Sequence, residues 1–298
     1  MNHRSIFDPL AEAGLTWDQW NAAVPVALEL AEHGDAEAQH EAGDLYERGA
    51  GVPQDDVEAV FWYRRAAEQG HPRAQLSLGV MYLGGRGVQQ DNEQALFWFQ
   101  QANCEGLPEA MFALGLMYEE GTGVPVDGKR AFALFLTAAS RGLPAAQHSL
   151  GVMFSEGRGT PADDKRAFAL LSKAAREEVR EAQYALGVAY QMGKGVRRDN
   201  KHACKWLSKS AARGYARAQC RLGLMYELGS GVTENKKRAY ELLSNAAEQG
   251  EIVSLYSLDL LHPDKVNVPR LLAEFATEVE QHFLELKEEL ALKQPRSA

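Results

Sequence analysis

Several familiar signatures are missing from this chain. It carries only three cysteines, Cys104, Cys204 and Cys220, with no CxxC pair, too few for a disulfide framework. No apolar run approaches the ~20 residues that cross a bilayer. The opening stretch "MNHRSIFDPLAEAG" has no apolar core of a secretory signal. Basic charge is in short supply: 32 Lys and Arg stand against 41 Asp and Glu, for a net charge of −9. That balance argues against nucleic acid as the main partner. These absences predict a soluble, cytoplasmic protein of a reducing compartment, without membrane or nucleic-acid partners. What is present is 45% hydrophobic content in 298 residues, enough to bury a large core.

A glycine cluster stands out in "LGVMYLGGRGVQQD", residues 78–91. Glycines after an apolar run can cradle a phosphate, but a Walker loop needs Gly-Lys followed by Ser or Thr. Here Gly193-Lys194 precedes Gly195 and Gly128-Lys129 precedes Arg130. The cluster also recurs, beginning at Glu47, Leu83, Glu119, Ser155, Gln191 and Glu227, a step of 36 residues each time. Ala38, Ala74, Ala110, Ala146, Ala182 and Ala218 keep the same step, as do Tyr46, Tyr82, Tyr118, Phe154, Tyr190 and Tyr226. A nucleotide site is not copied six times, so the glycines are turn residues.

Each unit reads as two helices. Ala74, Leu78, Met81 and Tyr82 follow helical spacing, Gly85 and Gly87 suit the end of a helix, and Asp91 sits where a second helix needs its N-cap. Ala95, Trp98, Phe99 and Ala102 then share one face of that second helix. Gly79 and its equivalents lie inside the first helix, where glycine costs about 1 kcal/mol relative to alanine. Six repetitions of that cost predict a close approach by a neighbouring helix.

The pattern G-x-x-x-A-x-x-x-L-G-x-M-Y-x-x-G-x-G-V-x-x-D-x-x-x-A-x-x-W-x-x-x-A-A resembles the Sel1-like repeat, a relative of the tetratricopeptide repeat. It is clearest over 70–102 and 214–247. The resemblance implies an all-α, right-handed α-solenoid of stacked antiparallel helix pairs with 36-residue repeats. It also implies an adaptor that holds other proteins. The cysteines of the disulfide-bearing branch of that family are absent, so its features are not carried over.

The expected organisation is an N-terminal cap over 1–33 and six repeats over 34–249 (34–69, 70–105, 106–141, 142–177, 178–213, 214–249). A degenerate seventh repeat and a C-terminal helix follow over 250–292, then a disordered tail over 293–298. Solenoid ends expose apolar surface and need such caps. Thr16 and Gln19 match a capping box, and Pro25 lies near the middle of the cap helix, where it can kink it. The amphipathic stretch from Pro269 to Leu292 reads either as a capping helix folded on the last repeat or as a helix that docks on a partner. The oligomeric state stays open, with a monomer favoured.

A partner groove is expected on the concave face of the first helices. Position 40 and its equivalents vary from unit to unit (His40, Leu76, Phe112, His148, Tyr184, Cys220 and Tyr256), which points to partner contact. Position 44 gives Leu116 and Val188, where packing between first helices is the competing reading. With Glu119 and Arg221 these make the candidate contact set: His40, Leu76, Phe112, Leu116, Glu119, His148, Tyr184, Val188 and Arg221. Phe61 and Phe97 offer a second patch on the convex side.

No GxSxG, Ser-x-x-Lys, HExxH or EF-hand loop is present. His40 and His148 lie three repeats apart, about 30 Å at roughly 10 Å per stacked helix, too far to share a metal. The expectation is a non-enzyme without cofactor, a bacterial scaffold binding a protein or peptide. An immunity-type inhibitor that blocks a toxin or enzyme one-to-one is the alternative.

Overall fold

The computed structural model of the chain describes residues 17–261. The Thr16 end of the capping box, the 269–292 helix and the 293–298 tail lie outside them. Among the described residues there are fourteen helices and no strand. They are α1 (Trp17–Glu32), α2 (Ala36–Arg48), α3 (Asp56–Glu68), α4 (Pro72–Gly84), α5 (Asn92–Cys104), α6 (Pro108–Glu120) and α7 (Gly128–Ser140). Then come α8 (Pro144–Glu156), α9 (Asp164–Arg176), α10 (Arg180–Met192), α11 (Asn200–Ala212), α12 (Ala216–Glu227), α13 (Lys236–Glu248) and α14 (Ile252–Leu261). The chain forms two compact units, one ending at Leu143 and one beginning at Pro144. In each unit every helix packs on its neighbours in sequence, the helix-pair stacking of an α-solenoid.

The same few residues build every pair. The first helix ends on a left-handed glycine, as at Gly85 (φ 64°), whose N–H returns to the Met81 carbonyl. The loop then brings the N-cap residue back under the helix just completed. Its own N–H donates to the carbonyl of the repeated aromatic: Asp55 to Tyr46, Asp91 to Tyr82, Asp127 to Tyr118, Asp163 to Phe154, Asp199 to Tyr190 and Asn235 to Tyr226, all between 2.8 and 3.0 Å. The cap side chain accepts from the first turn of the second helix, so one residue closes the loop and starts the helix.

Small residues let the helices approach. Ala38, Ala74 and Ala110, and in the second unit Ala146, Ala182 and Ala218, have no exposed surface at all. Leu78, Met81, Leu150, Leu186 and Met225 fill the spaces between, each contributing roughly 1.5–3 kcal/mol by burial. The expected close approach at the mid-helix glycine is found. A Cβ on Gly79 would lie 2.5 Å from a ring carbon of Phe99. The second glycine of the turn has a different task. A Cβ on Gly87 would sit 2.0 Å from the Asp56 carbonyl oxygen, so this loop presses on the second helix of the preceding repeat.

A recurrent glutamine ties repeat to repeat. Gln39 donates to the Ala31 carbonyl, Gln75 to Ala67, Gln183 to Ala175 and Gln219 to Ala211, at 3.0–3.3 Å, with each glutamine buried. Each of these bonds satisfies a last-turn carbonyl of one helix with a side chain of the next. One junction departs from the pattern. Glu178 holds a left-handed backbone (φ 65°) where the other junctions carry glycine, and it pairs with Arg213 at 2.6 Å.

The units differ in charge. Residues 17–143 carry 19 Asp and Glu against 8 Lys and Arg; residues 144–261 carry 13 against 18.

Candidate functional site

In the second unit the first helices of two successive repeats, α8 and α10, flank a cleft of about 340 Å³. Its floor comes from Val152 and Val188 on the helices and from Phe168 and Leu171 of the intervening α9. His148, Glu181, Tyr184, Tyr215 and Arg217 stand at one end; Ser155, Glu156, Asp164 and Lys194 stand at the other. The periodicity explains the layout. Residues four apart on one helix share a face, so 148 and 152 on α8 meet 184 and 188 on α10 across the groove.

The electrostatics of the cleft are uneven. Glu156 is paired with Arg158 at 2.5 Å and Glu181 with Arg180 at 2.8 Å. Lys194 and Arg217 have no ion pair among the described residues; Asp164, also without one, stands at the Lys194 end, so unmatched positive charge remains at the Arg217 end. Burial holds the His148 imidazole below its usual range against the opposing pull of Glu181, so the ring is neutral at pH 7. No hydrogen bond reaches that ring among the described residues, leaving a donor and an acceptor facing the cleft.

His148, Tyr184 and Val188 from the predicted set thus meet in one place. Arg221 does not line the cleft; it is 8% exposed and donates to Gln191 Oε1 at 2.7 Å. In the first unit Leu76 packs beside Phe99 and Leu114, and the half-buried Phe112 ring lies 5.4 Å from Phe135. Leu116 and Glu119 are half-buried there. His40 and Cys220 are buried. The variability of position 40 therefore has a packing component. Tyr184 sits against Tyr215, and His40 against His71, so position 40 varies together with a second variable position 31 residues on. Phe168, Tyr215 and Lys194 were not anticipated. Their signal was available in the 36-residue register, but it required knowing which loop faces which helix.

A second polar grouping lies in the first unit. His71 precedes α4, and its Nδ1 accepts the Ala74 N–H at 3.1 Å, so its proton rests on Nε2, which donates to Glu37 at 3.1 Å. The His40 ring stands 4.9 Å away, with its Nε2 3.8 Å from Asp44. Burial lowers the His40 pKa to about 4, against the opposing pull of Asp44. The cysteines offer no reactive thiolate in the core, because burial pushes Cys204 and Cys220 up to about 12. No helix among the described residues is long and apolar enough to cross a membrane. Phe61 and Phe97 are about half exposed, each edge-on to the following tryptophan.

Comparison with known proteins agrees with this architecture. The Sel1 repeat model matches six times, over 36–71, 72–107, 108–143, 144–178, 180–215 and 216–251. A protective antigen of uropathogenic Escherichia coli strains with an SLR fold is 34% identical, with a TM-score of 0.69. The match covers 96% of this chain and 60% of that one, so this chain spans well under two thirds of that relative's length. A Sel1 repeat protein from Oxalobacter formigenes is 29% identical over 77% of this chain and 92% of its own, with a TM-score of 0.71. An immunity protein of Pseudomonas aeruginosa shares the fold at 18% identity, covering 70% of this chain and 82% of its own, with a TM-score of 0.50. No curated protein matches. The repeats, the helix pairs they form and these relatives together place the chain in the Sel1 repeat family.

Proposed function

We propose that the protein is an interaction scaffold that holds an extended segment of a partner protein in the cleft between α8 and α10. The observation that carries this reading is an apolar floor with an unmatched cation, Arg217, at one end. A volume of about 340 Å³ is at the small end of the range of about 300–1,000 Å³ for ligand sites, which suits a few side chains better than a whole cofactor. A thirteen-residue helix is about 20 Å long, and an extended strand covers that distance in about six residues. The matching segment has aliphatic residues at its centre and an acidic residue at one end, toward Arg217. His148 is placed to hydrogen-bond the backbone of that segment.

The test is selection from a random twelve-residue peptide library on the full chain, with affinities then measured by fluorescence anisotropy. Aliphatic sequences with an acidic residue at one end are expected. Val188→Asp should weaken them at least tenfold, and Arg217→Glu should weaken them less while removing their salt dependence. Selected peptides that are basic, or that bind Val188→Asp equally well, would sink the reading. A tight one-to-one complex with a folded protein that survives Val188→Asp would favour the inhibitory alternative.

A further inference from the structure

Glu37, His40 and His71 are set apart from the equivalent positions of the other repeats. Each offers one ligating atom, and these atoms all lie within 4.8 Å of one another. At the same three positions the next repeat has Arg73, Leu76 and Leu107, and the one after has Glu109, Phe112 and Leu143. In the second unit the equivalents include Glu181 with Tyr184 and Tyr215. The remaining two repeats have His148 with Val179 and Cys220 with Glu251, so no other repeat places two imidazoles beside a carboxylate here, and Leu76 with Leu107 or Phe112 with Leu143 shows that the packing does not require them.

We propose that Glu37, His40 and His71 bind a single zinc-type transition-metal ion that staples the first repeat to the second. Two imidazoles and one carboxylate match the ligand set of zinc sites that leave a fourth position for water. Glu37 and His40 are three residues apart on the first turn of α2 and so share a face; His71 comes from the junction before α4. The side chains of His40, His71 and Glu37 are only 9%, 11% and 20% exposed, so little freedom is lost when they close on an ion. Neutral imidazole is the ligating form, and burial keeps His40 in it. Asp44 lies 3.8 Å from His40, able to orient that ring from the outside, and Asp44 with the excess of acidic residues in this unit favours a cation against the opposing charge of Arg73.

The geometry also shows the cost. An ion on His71 Nε2 takes the place of the proton now shared with Glu37. The ring must then carry its proton on Nδ1, and the Ala74 N–H loses its acceptor. Affinity is therefore expected in the micromolar range, below that of a structural zinc site, and binding leaves a mark on the Ala74 amide.

Calorimetric titration of Zn²⁺ into the full chain tests this, with ¹H–¹⁵N spectra recorded alongside. His40→Leu and His71→Leu place the side chains of Leu76 and Leu107 at equivalent sites, so the packing register is kept; Glu37→Gln changes no volume. One ion per chain is expected, with a rise in the melting temperature of the wild type. Each variant should bind at least tenfold more weakly, and the Ala74 amide resonance should move only in the wild type. No binding by the wild type at 1 mM Zn²⁺, equal binding by the variants, or a bound ion that leaves Ala74 unmoved would each overturn the site.

Discussion

The two units use one repeat with different fillings. In the first, the mid-helix glycines Gly43, Gly79 and Gly115 face the rings of Tyr63, Phe99 and Phe135. In the second, Gly151, Gly187 and Gly223 face Leu171, Leu207 and Leu243. The first unit is acidic and brings Glu37, His40 and His71 together; the second is basic and opens an apolar cleft. The turn glycines, the N-cap carboxylates and the glutamine ties are common to both. Backbone-level devices thus hold the helix pairs, while the filler and the surface charge diverge at little cost to the fold. Specificity is expected in what diverges.

Substitution at the shared devices should hurt both units alike. Gly87→Ala and Gly195→Ala each place a Cβ 2.0 Å from a backbone carbonyl oxygen at positive φ, so strain and overlap add. Each should cost about 4 kcal/mol in urea unfolding. A tolerated Gly195→Ala would show that the second unit is held differently.

The next effect is a pH dependence, large at His40 in the first unit and of the same sign at His148 in the second. The unfolded chain takes up a proton at His40 near pH 6.5, but the folded ring refuses it until about pH 4. Stability from this group is therefore complete above pH 6.5 and falls as pH drops toward 4, by about 3 kcal/mol. The groups that face the ring, Asp44, His71, Glu37 and Arg73, are all in the first unit. Unfolding midpoints measured between pH 7 and 4 should fall less steeply in His40→Leu than in the wild type. Parallel curves would mean that the ring titrates normally.

A smaller contrast concerns the fillers. Gly79→Ala meets a rigid ring at 2.5 Å, whereas Gly151→Ala meets Leu171 at 2.9 Å. Overpacking should leave Gly79→Ala about 2 kcal/mol less stable, while the gain in helix propensity brings Gly151→Ala close to neutral. Equal losses would show that leucine yields no better than a ring. The least effect is expected at a cap: Asp91→Ala should cost about 1 kcal/mol by thermal melt, and Asp163→Ala the same, since each caps one second helix. A null result at both would mean that the Tyr82 and Phe154 carbonyl bonds close the loops unaided.

Much of this was legible in the chain. The step of 36 fixes helix pairs, because Ala38, Leu78 and Asp91 recur where a packed face and a cap must recur. The role of Gly79 was readable from its repeated cost. The glutamine tie had a signal too, since Gln39, Gln75, Gln183 and Gln219 keep the same step, although periodicity alone cannot say which carbonyl they reach. The contact set was legible in part. His148, Tyr184 and Val188 share a cleft because four-residue spacing places them on one helix face, whereas Arg221 turned inward to Gln191. His71 escaped notice because its partners Glu37 and His40 lie in the preceding repeat.

Local periodicity by itself determined the number, length and capping of the helix pairs, since these follow from contacts within a few residues or one repeat. The tertiary structure alone decided which variable positions meet. Helix stacking brings residues 31 to 34 apart into contact, and the composition of either residue says nothing of its neighbour until the two helices are packed. That stacking joined His71 to Glu37 and His40, and opened the floor between Val152 and Val188.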